Sequence, residues 1–248
     1  MVGEPVGQFY GYKVIGMFKE ESDFYKKDAD GNFQLDEAGN RIRIAIPKGQ
    51  QISKNGIWVG DYIYEDLHED GVIDEKDRTF LGNPAPKFTF GFNNYFAYKG
   101  FDLNIFLNGS VGNKAVNLIR RTFTDPMRNS NLLKEATDIA LIGMHDPEVG
   151  DEELSNVYIV NADRAKVQRV TTSSANDNNR ISSRFIEDAS YLRIKNISLG
   201  YTFPRKWLRH LQIDNIRLYV NIQNLCTISG YKGYDPEIGA LNYNVLLR

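Results

Sequence analysis

Two runs of strict alternation at 88–111 constrain this chain more than any other feature. Phe88, Phe90, Phe92, Phe96 and Tyr98 share one parity, while Thr89, Gly91, Asn93 and Ala97 share the other. Lys99-Gly100 then offers a two-residue turn. Beyond it Phe101, Leu103, Ile105 and Leu107 alternate with Asp102, Asn104, Phe106 and Asn108. Period two over runs of this length predicts antiparallel strands at 88–98 and 101–111, joined by a tight Gly-containing hairpin. A second pair follows. Ile197, Leu199, Tyr201 and Phe203 alternate with Ser198, Gly200 and Thr202, and Pro204 ends the run. Ile216, Leu218, Val220 and Ile222 alternate with Arg217, Tyr219, Asn221 and Gln223. These patterns predict strands at 191–203 and 214–225. Leu192 and Ile194 have the opposite parity, so the alternation switches near Lys195-Asn196, where a β-bulge is expected.

Alternation alone leaves two architectures open: a soluble sandwich or barrel with one face in a core, and a membrane barrel. Each run is close to the roughly 9–11 residues that a strand needs to cross a bilayer. Hydrophobic residues make up 42% of the 248, but none of their runs reaches the length of a transmembrane helix. Barrel strands give only a weak hydropathy signal. The connections favour the barrel. The turns at 99–100 and 204–213 are short, whereas 112–190 is very long. Outer-membrane barrels combine short turns with long loops, and such a connection is unusual in a compact soluble domain. Within it, Leu132, Leu133, Ala136, Ile139 and Ala140 share one helical face and predict a short helix at about 131–143. The polar run Thr171–Asn179 reads as loop, and residues 19–60 carry turn signals at Asp30-Gly31-Asn32 and Ala38-Gly39-Asn40. The opening residues from Met1 lack the basic and apolar regions of a secretory leader, and read alone they would leave the protein in the cytoplasm.

The sharpest chemical motif is the acidic run 66–77. On the twelve-residue calcium loop, Asp66, Asp70, Asp74 and Asp77 fall at positions 1, 5, 9 and 12. Gly71 takes the sharp-turn position and Val72 offers its carbonyl. Eight acids and two bases lie between 61 and 78, and calcium or a similar cation would relieve their repulsion; the alternative is an acidic turn that Gly71 shapes and water solvates. His68 departs from the usual Asp or Asn, and Asp77 is shorter than the usual bidentate Glu. Other chemistry is poorly supported. The single Cys226 excludes an internal disulfide and a multi-cysteine zinc site. The net charge of -2 argues against nucleic acid, although 164–217 holds eleven bases against four acids. Arg193, Lys195 and Arg217 among them fall on the polar strand face. The carboxylate pairs Glu187-Asp188 and Asp235/Glu237 are the kind any acidic chain contains, and no phosphate loop is present. Tyr10, Tyr12, Tyr231, Tyr234 and Tyr243 lie in loop-like segments where their faces suit sugar or peptide stacking.

A series of blocks resembles one family. They are Gly7-Gln-Phe-Tyr-Gly-Tyr12 with Gly16-Met-Phe18, and Gly60-Asp-Tyr-Ile-Tyr-Glu-Asp66 running into Asp70-Gly-Val-Ile-Asp74 and Leu81-Gly-Asn-Pro-Ala-Pro-Lys-Phe88. Tyr98-Lys-Gly-Phe-Asp-Leu103, Phe185-Ile-Glu-Asp-Ala-Ser-Tyr-Leu-Arg-Ile-Lys-Asn196 and Leu199-Gly-Tyr-Thr-Phe-Pro204 follow. Asn221-Ile-Gln-Asn-Leu225 and Gly230-Tyr-Lys-Gly-Tyr-Asp-Pro-Glu237 complete the series. In this order they resemble SusC/RagA-type TonB-linked outer-membrane transporters, with little signature in 112–184.

The resemblance implies an all-β fold, an antiparallel transmembrane β-barrel fragment of a 22-stranded barrel with long extracellular loops and a short loop helix. Residues 1–87 would be an extracellular region carrying the acidic loop. Residues 88–248 would supply C-terminal barrel strands, with 112–190 and the residues from 226 outside the membrane. It also implies import of oligosaccharides or peptides across the outer membrane of a Gram-negative bacterium, without enzymatic activity. The implied partners are a SusD-type surface lipoprotein, the lipid bilayer, and the TonB complex through an N-terminal part not present here. On this reading the piece alone transports nothing, and substrate uptake by cells making only these residues would contradict it. The alternative is a soluble glycan-binding β module without transport activity.

Overall fold

The computed structural model describes residues 7–237, so the readings made on the first six residues and on Tyr243 lie outside the described residues. The chain divides into two compact units, each discontinuous in sequence. One comprises the residues up to Gly82 with Val116–Ile186; the other comprises Asn83–Ala115 and the residues from Glu187 onward.

The first unit is built from short pairings rather than long strands. Phe9–Tyr12 pairs antiparallel with Arg78–Gly82, and Val14–Met17 with Tyr62–Tyr64. Ile46–Pro47 runs parallel to Val72–Ile73, and Ile142–Met144 pairs antiparallel with Val157–Ile159. These segments enclose one apolar cluster that includes Phe18, Phe24, Ile57, Trp58, Val59, Tyr64, Ile73 and Val157. Phe18 and Phe24 stack with ring centroids 4.1 Å apart. Two successive turns explain how a polar stretch stays ordered. Asp28 accepts from the amides of Asp30 and Asn32, and Asp36 accepts from those of Ala38 and Asn40. Gly31 and Gly39 close these turns at positive φ, where a side chain would be strained.

The second unit contains a four-stranded antiparallel sheet. Its spatial order is Arg217–Ser229, Tyr191–Thr202, Phe101–Val111, Phe88–Tyr98. The register lines up apolar rows on one face: Phe96, Leu103, Leu199 and Val220 form one, and Tyr98, Phe101, Tyr201 and Leu218 the next. The opposite face carries Tyr95, Asn104, Ser198 and Asn221 in a row. The parity switch is a bulge. Ile194 faces Leu107 while Asn196 faces Phe106, leaving Lys195 unmatched. On the other side Ile194 faces Cys226 and Asn196 faces Gln223, with Asn224 in the left-handed region at φ 51°.

This architecture corrects the expected fold class. Among the described residues, one four-stranded and five two-stranded sheets stand separately, beside two short α-helices at Leu118–Phe123 and Arg205–Leu208. No sheet closes on itself, so the described chain is a mixture of α and β elements and not a β-barrel. Membrane-spanning strands are not shown either. The reason is elementary. Closure requires the first and last strands to pair, and the two outer strands of this sheet are not paired with each other. The unpaired N–H and C=O groups of an open edge have no place in hydrocarbon. No described helix is long and apolar enough to cross a membrane, which says nothing about strands. The helix expected at about 131–143 is also replaced. A 3-10 turn at Lys134–Asp138 occupies its middle. Ile139 bridges to Val167, and the Ala140 amide donates to the Val167 carbonyl, which draws the backbone out of the helix.

Candidate functional site

The acidic run folds as a tight turn with its carboxylates facing its own backbone. Asp66 accepts from the Gly71 amide at 2.9 Å and Asp70 from the Val72 amide at 3.1 Å. Asp74 accepts from the Lys76 amide at 2.8 Å. The buried Asp77 accepts from the amides of Leu67 and Asp74, closing a capping box around the 3-10 turn Glu75–Asp77. His68 stands 3.6 Å from Asp77. Gly71 adopts φ 80°, the left-handed conformation the turn requires. Among the described residues no group of three or more His, Cys, Asp or Glu side chains converges on one point. Asp66 Oδ1 is buried without a hydrogen-bond partner among the described residues.

The charged strand residues are also engaged within the protein. Arg193 is buried in ion pairs with Asp235 and Glu237, and Lys195 reaches Glu237 at 3.2 Å. Arg217 pairs with Asp102. Asp188 is held down to about 2 by hydrogen bonds from Ser190, with Lys114 adding to the effect. Its neighbour Glu187 accepts from the Lys232 amide. Neither carboxylate pair is arranged as a proton donor and acceptor across an open space.

The richest polar site lies in the first unit. Arg169 forms a buried two-pronged pair with Asp61, at 3.0 and 3.1 Å, and donates to the carbonyls of Lys54 and Gly56. Asp61 also accepts from the Trp58 amide and from Asn178. Every lone-pair direction of the carboxylate is thus used, which is what a buried ion pair needs to avoid a large desolvation penalty. Gly60 sits against this pair at φ 93°, where an added Cβ would stand 2.8 Å from the Arg169 Cβ. Tyr62 donates to the Lys166 carbonyl and accepts from the Gln168 amide, and burial pushes its hydroxyl up to about 12. Burial likewise raises Tyr64 and lowers Arg184, whose guanidinium lies 4.7 Å over the Tyr62 ring.

Two pockets open around this framework. One, of about 350 Å³, is lined by hydroxyls and amides, among them Gln168, Thr171, Thr172, Ser173, Asn178 and Asn179. The other, of about 470 Å³, is lined by Tyr10, Tyr12, Arg78, Arg121, Arg180 and Asp177. Asp177 borders both. The run 171–179, which reads as plain loop, thus supplies a pocket wall. It also supplies Asn176, whose buried amide donates to the Tyr62 carbonyl. Sequence reading missed Asp61, Arg169, Arg121 and Arg180 as site residues. They are far apart in the chain and follow no spacing rule; Arg169 and Arg180 lie in the surplus of bases from 164 to 217, Asp61 at the edge of the acidic run, and Arg121 in neither.

No family model matches the chain. It is 31% identical over 242 residues to TonB-dependent receptor P3 of Formosa agariphila, covering 98% of this chain and 20% of that protein. It is 25% identical over 227 residues to TonB-dependent receptor SusC of Bacteroides thetaiotaomicron, covering 88% and 20%. Its fold is similar to part of a chain in the structure of the RagAB peptide transporter. The TM-score there is 0.57 at 20% identity, covering 93% of this chain and 20% of that one. This chain spans about a fifth of the length of the curated relatives it matches. The order of its sequence blocks, the identity along nearly its whole length and the shared fold agree: the chain belongs to the SusC/RagA-type family of TonB-dependent outer-membrane transporters.

Proposed function

We propose that this chain serves TonB-dependent uptake of oligosaccharides or peptides at the outer membrane of a Gram-negative bacterium, and that its first unit contributes ligand-facing surface. Membership of a transporter family makes this transport rather than enzymatic chemistry. The single observation that carries the reading is the 31% identity to a TonB-dependent receptor across 98% of this chain. The pockets give it local support. Hydroxyls, amides and tyrosine faces suit sugar hydroxyls and peptide groups, which exchange hydrogen bonds with water for hydrogen bonds with protein. The partners would be a SusD-type surface lipoprotein and the TonB complex. The peptide alternative draws on RagAB, which is a peptide transporter.

The test is uptake. A strain deleted for the gene encoding this chain should lose accumulation of one labelled oligosaccharide or peptide class, and so should a strain deleted for TonB. Affinity purification of the tagged protein should recover a SusD-type lipoprotein. Normal uptake of every class in the deletion strain would overturn the reading.

A further inference from the structure

The second pocket has a composition that a neutral ligand does not explain. Three guanidinium groups, Arg78, Arg121 and Arg180, line it against one carboxylate, Asp177. Their positions are fixed from behind. Arg180 donates to the carbonyls of Asp177 and Asn176, pairs with the Asp177 carboxylate at 3.8 Å, and lies 4.6 Å over the Tyr12 ring and 4.7 Å over that of Tyr64. Arg78 reaches Glu75 at 3.3 Å and lies 5.6 Å over the Tyr12 ring. Arg121 uses its Nε to donate to the Asn179 carbonyl at 2.8 Å, and among the described residues no carboxylate forms an ion pair with it. Asp177 is itself pinned: its carbonyl accepts from the Tyr64 hydroxyl and its amide donates to Ser174.

Held in this way, the three guanidinium groups line one pocket, and the terminal nitrogens of Arg121 are the donors best placed to receive an oxyanion there. Arginine forks match the geometry of carboxylate and sulfate oxygens. The neighbouring pocket shares Asp177 and is lined mostly by hydroxyls and amides, with Asp125, Arg169 and the apolar Pro126 and Met127 beside them, which suits a hydroxyl-rich ligand portion. We infer that Arg78, Arg121 and Arg180 receive the sulfate or carboxylate of an acidic oligosaccharide whose uncharged portion lies along Thr171–Asn179. The inference deepens the uptake reading and rests on it. Gly11 belongs to the arrangement: a Cβ there would stand 2.6 Å from the Ile181 carbonyl, so the strand beside the arginines approaches that backbone closely.

Direct binding tests this separately from uptake. Calorimetry on the purified full chain would use a chondroitin sulfate tetrasaccharide, a galacturonate trimer, maltotriose and tetraglutamate as probes. One or both acidic sugars should bind, with affinity falling as salt rises, and the one that binds identifies the oxyanion. Maltotriose should bind at least tenfold more weakly. Arg121→Gln and Arg78→Gln should each weaken the acidic sugar about tenfold or more, with Arg121→Lys losing less. Melting temperatures of the variants should stay near that of the parent, since neither side chain is buried. Arg180 is left intact because its ring contacts tie it to the core. The inference is overturned if neither acidic sugar binds, if the variants bind it as well as the parent, or if tetraglutamate binds in its place. Normal uptake in the deletion strain with intact acidic-sugar binding would instead sink the uptake reading and leave the pocket standing.

Discussion

Trp58 is 2% exposed and Phe18 and Phe24 are 1% exposed, whereas Phe92 is 56% exposed and Val220 64%. The first three belong to the unit made of short, irregular pairings; the last two belong to the regular four-stranded sheet. The regular pattern thus comes without a core of its own, and the irregular one comes with it. Alternation records which side chains share a face. It does not record what covers that face. The strands Phe88–Tyr98 and Arg217–Ser229 show this, because residues of both parities are exposed along them. Burial in the other unit is achieved by residues far apart in sequence, such as Phe24, Trp58 and Val157, whose order along the chain has no period.

The comparison predicts unequal costs of truncation. Trp58→Ala should destabilise the protein by about 3–5 kcal/mol, because a large enclosed side chain leaves a cavity. Phe92→Ala should stay within about 0.5 kcal/mol. Denaturant melts of the two variants would break the comparison if their costs were alike. Arg169→Ala should match the loss at Trp58, since it strands Asp61 as a buried charge without its partner, an effect of about 3–5 kcal/mol.

A pH effect of intermediate size sharpens the same contrast. The folded protein holds the Tyr62 hydroxyl up at about 12, above its ordinary value, so above pH 10 the unfolded chain ionises first. The associated stability is complete below pH 10 and is lost as the pH rises toward 12, amounting to about 2–3 kcal/mol for this group. Melts at pH 9 and pH 11 should show the fall, and Tyr62→Phe should reduce it. The smallest expected effect is at the acidic turn. Its aspartates already accept backbone amides, so millimolar calcium should leave the melting temperature unchanged. A rise of several degrees would show that the turn rearranges around the cation.

What could be read beforehand follows the same division. The hairpin at 88–111 and the bulge at Lys195 were legible because period two is a local signal, and a change of parity has few other causes. Barrel closure was inferred from the pattern of short turns and a long connection and from resemblance, neither of which fixes what pairs with an outer strand, and the described sheet is open. The helix expected near 131–143 failed because the apolar face that predicts it, with Ile139 and Ala140, is drawn instead toward Val167. The acidic turn was visible in its spacing and in Gly71, while the amides that its aspartates accept from became visible only in the fold. The arginine pocket had no local signature, since Tyr12, Arg78, Arg121 and Arg180 meet only in the fold.

Hydrogen exchange resolved by peptide tests the contrast between the two units most directly. Amides at 57–64, within the enclosed cluster, should exchange slowly, while those of the outer strands at 88–98 and 217–229 should exchange much faster. Equal protection in both regions, or stronger protection in the outer strands, would contradict the account.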